Sequence, residues 1–133
     1  MASMIFVNLP VKDLDKSKAF FGKLGYSFNP QFTDETAACM VISDVIYVML
    51  LTEAKFKDFT RKPIADATKS TEVLVALSAD SKDRVNTLVD AALKAGATEA
   101  RDTMDYGFMF GRSFNDLDGH IWEIIWMDPS AVQ

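Results

Sequence analysis

The sequence predicts an α+β domain made of two tandem βαβββ modules, whose strongly curved mixed sheets surround one cavity. Two observations predict this fold. An apolar strand, an amphipathic helix closed by glycine, and a series of β-rich segments occur twice along the 133-residue chain. The two copies also account for almost the whole sequence. We therefore expect a single domain over 1–133. Its modules span 4–59 and 71–128, and a linker spans 60–70.

The first module contains residues that are typical of the ends of helices and strands. Asp13 or Asp15 can cap its helix, because a short side-chain oxygen accepts hydrogen bonds from the free amides of the first turn. Gly25 follows the helix, where a positive φ is often required. Pro30 cannot donate to a sheet, so we place its strand at an edge. The predicted elements are a strand at 4–11, a helix at 15–24, and strands at 26–32, 37–43 and 45–51.

The second module repeats this order after a connection that contains a helical pair, Phe56 and Phe59. Ser81 is the predicted N-cap of the second helix, and Gly96 ends it. Residues 116–119, Asp-Leu-Asp-Gly, are typical of a tight turn between two strands. The predicted elements are a strand at 71–79, a helix at 82–93, a short strand and loop at 98–105, and strands at 106–114 and 120–127.

The composition excludes several classes of protein. A net charge of −5 and a pI near 4.7 argue against nucleic-acid and anionic-membrane partners, because both require basic patches. The longest apolar run, 45–51, is far shorter than the ~20 residues of a membrane helix. A single cysteine, Cys39, excludes an internal disulfide, and no signal-peptide pattern is visible. We expect a cytoplasmic protein whose acidity serves solubility or a neutral or cationic small ligand.

Two motifs resemble the vicinal oxygen chelate superfamily, which includes glyoxalase I, extradiol dioxygenases, and bleomycin- and fosfomycin-resistance proteins. Residues 8–21, Asn-Leu-Pro-Val-Lys-Asp-Leu-Asp-Lys-Ser-Lys-Ala-Phe-Phe, and the Leu-Gly pair at 24–25 resemble the family's opening strand and helix. Residues 116–124, Asp-Leu-Asp-Gly-His-Ile-Trp-Glu-Ile, resemble its closing turn and strand, with Leu117 in place of a proline. The similarity covers residues 4–128 and extends to glyoxalase-like proteins described as predicted lactoylglutathione lyases.

The resemblance also indicates where a metal would lie. In the metal-using members, four inward side chains hold a divalent ion, and the matching positions here are Phe6, Leu50, Leu74 and Glu123. Only the glutamate can bind a metal, and a divalent ion needs several oxygen or nitrogen donors. His120 differs from Glu123 by three residues, so on a strand it points to the opposite face. We therefore expect no metal and no other cofactor, with the four positions close together inside one cavity.

Glu123 is the candidate catalytic residue. Alternation along the last strand places it on the face that would line the cavity. A partly desolvated carboxylate there could act as a general acid or base, or could anchor a cationic ligand. It could equally be a remnant of a metal site, with its charge satisfied by Asn8 or Arg112. The sequence leaves these alternatives open.

The remaining candidates are expected to contact a small-molecule ligand. Arg112 lies in an aromatic-rich strand, where it meets an anionic ligand or pairs with Asp116 or Glu123. The aromatic side chains before and within that strand lie near the expected mouth of the cavity. Together with the apolar former metal positions, the predicted ligand-binding residues are Phe6, Asn8, Leu50, Leu74, Tyr106, Phe108, Phe110 and Arg112.

Other notable side chains have a structural interpretation. Four aromatic residues are expected to pack the helices on the sheets: Phe20, Phe21, Trp122 and Trp126. Cys39 is expected to be a small core residue. His120 is expected to be a solvated turn residue, so no Ser–His–Asp or Cys–His arrangement is predicted.

The function favoured by these observations is metal-free binding of a small molecule in an apolar, aromatic-lined cleft, since such binding needs only area, shape and a few polar groups. The alternative is a glyoxalase-like lyase or isomerase, or a dioxygenase-related enzyme, that uses Glu123. A third possibility is a subunit whose dimer surface is its function. The family usually forms homodimers, and the cavity is formed within one chain or between two chains.

Overall fold

A computed structural model describes residues 3–131 and divides the chain into two compact units, Met1–Ala65 and Asp66–Gln133. Each unit contains one mixed β-sheet and one long helix. The predicted α+β class with two βαβββ-type modules is confirmed. None of the helices formed by residues 3–131 has the length and apolar character needed to cross a membrane.

The first unit contains four strands and one long helix. Asp13 caps that helix, because its side chain accepts a hydrogen bond from the backbone N–H of Lys16 at 3.1 Å. A short helix follows the last strand and continues into a 3₁₀ turn at Lys57–Phe59. The elements are β1 (Ile5–Val11), α1 (Leu14–Lys23), β2 (Ser27–Phe28), β3 (Ala37–Val41), β4 (Ile46–Thr52) and α2 (Glu53–Phe56).

The first sheet has the strand order β1-β4-β3-β2, in which β1 and β4 are parallel and the other neighbours are antiparallel. One face carries Val48, Leu50 and Met40, all nearly inaccessible, and α1 packs against β3 and β4. Phe20 and Phe21 of α1 are buried, as expected for core residues. We call this the helix face of the first sheet.

The second unit repeats this plan with five strands. Its long helix is capped by Ser81, whose hydroxyl accepts from the backbone N–H of Arg84 at 3.0 Å, as predicted. A 3₁₀ turn at Pro129–Ala131 follows the last strand. The elements are β5 (Leu74–Ser78), α3 (Lys82–Lys94), β6 (Thr98–Glu99), β7 (Met104–Asp105), β8 (Met109–Asn115) and β9 (Ile121–Met127).

The second sheet has the order β5-β9-β8-β6, and β7 also pairs with β8. Strands β5 and β9 are parallel, whereas β8 and β9 form an antiparallel hairpin. Phe114, Trp122 and Ile124 are each 1% exposed, share one face by register, and lie on the side against which α3 packs. This is the helix face of the second sheet.

Two predicted elements differ in the structure. The strand expected at 26–32 is limited to Ser27–Phe28, and Pro30–Phe32 forms a 3₁₀ turn capped by Asn29. Proline fixes φ near a helical value and has no N–H to donate, so it begins the turn instead of extending the strand. The strand expected at 106–114 begins only at Met109, because Gly107 adopts a φ of 80° and forms a turn there.

Candidate functional site

The turn at residues 116–119 positions the strand that carries Glu123. Asp116 organises this turn: Oδ1 accepts from the backbone N–H groups of Asp118 and His120 at 2.9 and 3.0 Å, and Oδ2 accepts from Trp122 Nε1 at 2.9 Å. Gly119 has a φ of 88°, and a Cβ there would lie 2.8 Å from the carbonyl oxygen of Ala67. Glycine is therefore required by both the conformation and the close approach of this backbone segment.

Burial affects the chemistry of this turn. Desolvation raises the pKa of Asp116, although the positive charge of nearby His120 and the hydrogen bond from Trp122 act in the opposite direction. His120 is only 9% exposed, so the expectation of a solvated turn residue is wrong. Its backbone N–H is held by Asp116, and the turn packs against the backbone at residues 67–68. The predicted pairing of Arg112 with Asp116 is also absent from the interactions that the structure gives these two residues.

The hairpin register places Glu123 directly opposite Ser113 on β8 and beside Ala76 on β5. Side chains of paired residues lie on the same side of a sheet, and alternation adds every second neighbour along each strand. This side is opposite to the helix face. We call it the Glu123 face. It is formed by Glu123, Ser113, Gly111, Leu74, Ala76, Ile121 and Ile125.

Glu123 forms an ion pair with Arg101, which the sequence analysis did not anticipate. Arg101 Nη2 and Nε both donate to Glu123 Oε2, at 2.5 and 3.2 Å. The side chain of Glu123 is 14% exposed and that of Arg101 is 35% exposed. Arg112 is not its partner, so the alternative in which Arg112 satisfies the charge of Glu123 is wrong. The ion pair neutralises the carboxylate, which removes the reason to expect a cationic ligand.

Arg112 lies on the helix face, because it is paired with Ile124 and not with Glu123. Its Nη1 donates to Asn86 Oδ1 at 3.0 Å and to Asp90 Oδ1 at 2.8 Å, and both acceptors belong to α3. The guanidinium therefore fastens the helix to the sheet. This contact gives Arg112 a structural role and does not support its predicted role as a ligand contact on the same face as Glu123.

Phe110 also lies on the helix face, two residues before Arg112. The ammonium group of Lys82 lies 6.0 Å from the ring centre of Phe110 and 5.3 Å from that of Trp126. Phe110 therefore lies on the opposite side of the sheet from Glu123, which does not support its predicted role as a ligand contact beside that residue. Tyr106 and Phe108 lie in the turn between β7 and β8, with ring centres 6.3 Å apart, and both are exposed.

In the first unit, Phe6 and Asn8 share the side opposite to the helix face. Phe6 pairs with Tyr47, and their rings stack with centres 5.0 Å apart. Asn8 pairs with Met49, and its Nδ2 donates to the carbonyl oxygen of Phe6 at 3.1 Å. The residues on this side of β1 and β4 are named the Phe6 face.

Leu50 does not belong to the Phe6 face. It pairs with Leu9 and is 0% exposed beneath α1, because its position differs from that of Tyr47 by three residues and the side of the sheet therefore changes. The prediction that Leu50 lines a cavity with Phe6 is wrong, and Met49 is the β4 residue beside Asn8. Leu74, in contrast, lies on the Glu123 face as expected and is 54% exposed.

Metal-ligating side chains are sparse. Within residues 3–131, no group of three or more His, Cys, Asp or Glu side chains is close enough together to hold an ion. The carboxylate on the Glu123 face is accompanied by a guanidinium, which repels a cation and cannot act as a ligand. Cys39 is buried as expected, and this burial raises the pKa of its thiol.

Ser113 is a second residue that the sequence analysis missed. It is 2% exposed, and its hydroxyl is the one buried side-chain polar atom, among the residues that the structure describes, that lacks a hydrogen-bond partner. The turn motif does not predict its pairing with Glu123, because a hairpin symmetric about 116–119 would pair Glu123 with Arg112, whereas the observed hairpin is symmetric about Asp118. Arg101 had no sequence signal either, since it lies in an irregular segment between β6 and β7.

Comparisons with known proteins agree with this architecture. Residues 4–43 match the family model described as bleomycin resistance protein-like N-terminal. A protein of S. aureus described as hypothetical has a similar structure, with 27% sequence identity, a TM-score of 0.78 and 95% coverage of each chain. No curated protein matches the sequence.

Two further proteins of similar structure are named for a function. A glyoxalase-related enzyme from Fulvimarina pelagi is 18% identical, with a TM-score of 0.79 and coverage of 95% of this chain and 88% of that one. A fosfomycin resistance protein from Mesorhizobium loti is 14% identical, with a TM-score of 0.69 and coverage of 98% and 97%. The matches show the glyoxalase/bleomycin resistance/dioxygenase fold.

Proposed function

We propose that this chain is a metal-free small-molecule binding protein of the glyoxalase/bleomycin resistance superfamily, with its ligand held against the Glu123 face. The observation that most strongly supports this proposal is the ion pair between Arg101 and Glu123. It puts a fixed cation beside the carboxylate at the position where metal-using members have a ligand, so the charge of Glu123 is balanced without an ion. Structural similarity to a fosfomycin resistance protein supports a role in binding small compounds.

The Glu123 face has the composition of a ligand-binding surface. Leu74 is exposed, and Ile121 and Ile125 are half-buried, so apolar area is available beside a single polar pair. Small-molecule sites combine such apolar area with a few placed polar groups that fix orientation. The exposed aromatic residues Tyr106 and Phe108 of the same unit are proposed to contribute further ligand contacts.

An NMR titration with small aromatic compounds tests this proposal. In methyl-labelled protein, a ligand should shift the signals of Leu74, Ile121 and Ile125. It should leave the signals of Val85 and Val89, buried on α3, close to their original positions. Shifts confined to the helix face, or no shifts with any compound of a broad panel, would contradict the proposed site.

A matched pair of variants separates binding at this face from non-specific adhesion. Leu74→Asn removes exposed apolar surface from the Glu123 face, and we expect weaker binding. Leu117→Asn makes the same chemical change at a residue that is 43% exposed in the 116–119 turn. This control should bind as the unmodified protein does. Equal losses in both variants would indicate adhesion to exposed leucines and would count against the proposal.

The second candidate is a glyoxalase-like lyase or isomerase. The hydrogen bonding of Glu123 supports this candidate. Within the described chain, Glu123 Oε2 accepts from Arg101, whereas Oε1 has no hydrogen-bond donor. Oε1 could therefore accept a proton from a substrate. Lactoylglutathione lyase activity should then be measurable and should disappear in Glu123→Gln. Activity retained by that variant, or absent from the unmodified protein, would exclude this candidate.

A further inference from the structure

Arg101, Ser113 and Glu123 form one transverse row on the second sheet, in which Ser113 and Glu123 lie on the neighbouring strands β8 and β9 and Arg101 lies in the segment that follows β6. The backbone N–H of Ala100 donates to the carbonyl oxygen of Ser113 at 3.4 Å, so Arg101 follows a residue that is bonded to β8. Ser113 in turn is paired with Glu123 on β9. To reach Glu123, the side chain of Arg101 must therefore cross β8 at the position of Ser113, where a small side chain leaves room for it.

The hydrogen bonding of this row is incomplete. A guanidinium has five N–H donors, and the structure assigns two of those of Arg101 to Glu123 Oε2. Three N–H groups are left without an acceptor among residues 3–131, and Glu123 Oε1 is left without a donor there. The hydroxyl of Ser113 is likewise unpartnered. Of the polar side-chain atoms that the structure describes, only the Ser113 hydroxyl is buried without a partner, so the unused atoms of Arg101 and Glu123 are accessible and can bond to a polar ligand.

The charge of the row restricts the ligand. Glu123 and Arg101 together are neutral and partly buried. A cation would be repelled by the guanidinium, and an anion would be repelled by the free carboxylate oxygen. A neutral group with an acceptor beside a donor meets neither repulsion. Its acceptor can take an N–H from Arg101, while its donor can bond to Glu123 Oε1.

We propose that the Arg101–Ser113–Glu123 row is an anchoring site for an uncharged carboxamide-like group. Arg101 is then the residue that determines specificity, because it converts a lone carboxylate, which would select cations, into a neutral donor–acceptor pair. The proposal rests on the proposed binding function and adds the chemical class of the anchored group.

Three compounds of nearly identical shape test the charge preference. Benzamide, benzoate and benzamidine carry charges of zero, minus one and plus one on the same ring. Their binding can be followed through the Nε–H signal of Arg101 and the methyl signals of Ile121 and Ile125 in labelled protein. The unmodified protein should bind benzamide most tightly of the three.

Two single variants should change this order in opposite directions. In Arg101→Gln the carboxylate has no cation beside it. The affinity for benzamidine should then rise about tenfold relative to the affinity for benzamide, because a charge-assisted hydrogen bond is roughly twice as strong as a neutral one. In Glu123→Gln the guanidinium has no anion beside it, so the affinity for benzoate should rise relative to the affinity for benzamide. The double variant with both substitutions keeps two amides in place of the ion pair. It should fold even if a single variant does not, and it should still prefer benzamide.

The outcomes separate the two proposals. If none of the three compounds shifts a signal of the Glu123 face in any of these proteins, binding at this face is contradicted. If the compounds bind there but benzamidine or benzoate is preferred by the unmodified protein, the inference about Arg101 is wrong while the binding function stands. An order that is the same in all variants would overturn the inference in the same way.

Discussion

At Glu123, the sequence indicated the position of the side chain but not its partner. Alternation along β9 separates Glu123 from Trp122 and Ile124, and the structure has the same separation. The predicted link to Arg112 was wrong because the observed hairpin is symmetric about Asp118, which pairs Glu123 with Ser113, whereas a hairpin symmetric about 116–119 would have paired it with Arg112. Arg101 could not be predicted, since the path from β6 across β8 to β9 is a property of the assembled sheet.

The Arg101–Glu123 pair leads to a stability prediction for Glu123→Gln. Glu123 is 14% exposed, but Arg101 is 35% exposed and can be rehydrated when its partner is lost. We expect a loss of about 1–2 kcal/mol in the free energy of unfolding, between the values for exposed and buried pairs. Urea denaturation measures it. Glu99→Gln is the control, because the 3.7 Å contact of Glu99 with Arg112 is long and exposed, and little change is expected there.

A loss of about 3–5 kcal/mol in Glu123→Gln would contradict this account, since that is the cost of breaking a fully buried pair. A gain in stability would also contradict it, because it would mean that the ion pair costs more in desolvation than it returns.

Ser113→Ala is expected to leave the free energy of unfolding unchanged or slightly raised. The substitution removes a buried hydroxyl that has no partner, so no hydrogen bond is lost. Thr98→Val is the matched control in the same sheet, because Thr98 Oγ1 accepts from Asn115 Nδ2 at 3.1 Å. That variant should lose about 0.5–1.5 kcal/mol. A larger loss for Ser113→Ala than for the control in thermal or urea unfolding would show that Ser113 is hydrogen-bonded in solution.

At the scale of elements, local signals were sufficient for helices and weaker for strands. The caps at Asp13 and Ser81 and the turn at 116–119 could be predicted because each depends on a few adjacent residues. The side on which Leu50 lies could not, since it depends on the parallel pairing of β1 with β4, whose register has no local signal. Strand alternation predicts which residues share a face but not which face a helix covers.

The turn that positions β9 should show a characteristic pH dependence. Burial raises the pKa of Asp116 in the folded state above the ordinary 3.8, so the folded protein holds this proton more tightly than the unfolded chain does. The stabilisation that protonated Asp116 gives the folded state is present below the ordinary pKa of 3.8. It is lost as the pH rises through the raised pKa of the folded state. Relative to Asp116→Asn, the unmodified protein should therefore lose stability over this range, as measured by urea unfolding at several pH values.

Asp34 provides a control of opposite sign. Hydrogen bonds from the backbone N–H and hydroxyl of Thr36 lower the pKa of Asp34, so its contribution is present above 3.8 and is lost as pH falls. Relative to Asp34→Asn, the unmodified protein should gain stability with rising pH. Slopes of the same sign for the two comparisons would refute the assignment at Asp116.

At the scale of the whole molecule, the duplicated pattern was enough to predict the fold, because each module repeats the same order of apolar strand, capped helix and β-rich return. Residues 8–21 with the Leu-Gly pair at 24–25, and the closing segment 116–124, carried the resemblance. The chemistry was harder to predict than the fold, since it depends on the partner of one carboxylate and not on any repeated feature.

The chain is predicted to form a homodimer. Strands β1 and β5 lie at the edges of their sheets, and the apolar residues Ile5, Phe6, Val73 and Leu74 on or beside them are exposed. Unpaired edges and exposed apolar area favour association with a second copy. Light scattering should give twice the chain mass of 14.8 kDa at micromolar concentrations. A single species of the chain mass across that range would show that the protein is monomeric.

The central claim is that Arg101, and not a metal ion, balances the charge of Glu123. The most direct test is elemental analysis of the protein after exposure to excess divalent zinc, manganese, nickel and magnesium and removal of the free ions. We predict no stoichiometric ion in the unmodified protein, because a single carboxylate paired with a guanidinium lacks the donors that a divalent ion requires. A stoichiometric ion that is retained by the unmodified protein and lost in Glu123→Gln would contradict this account.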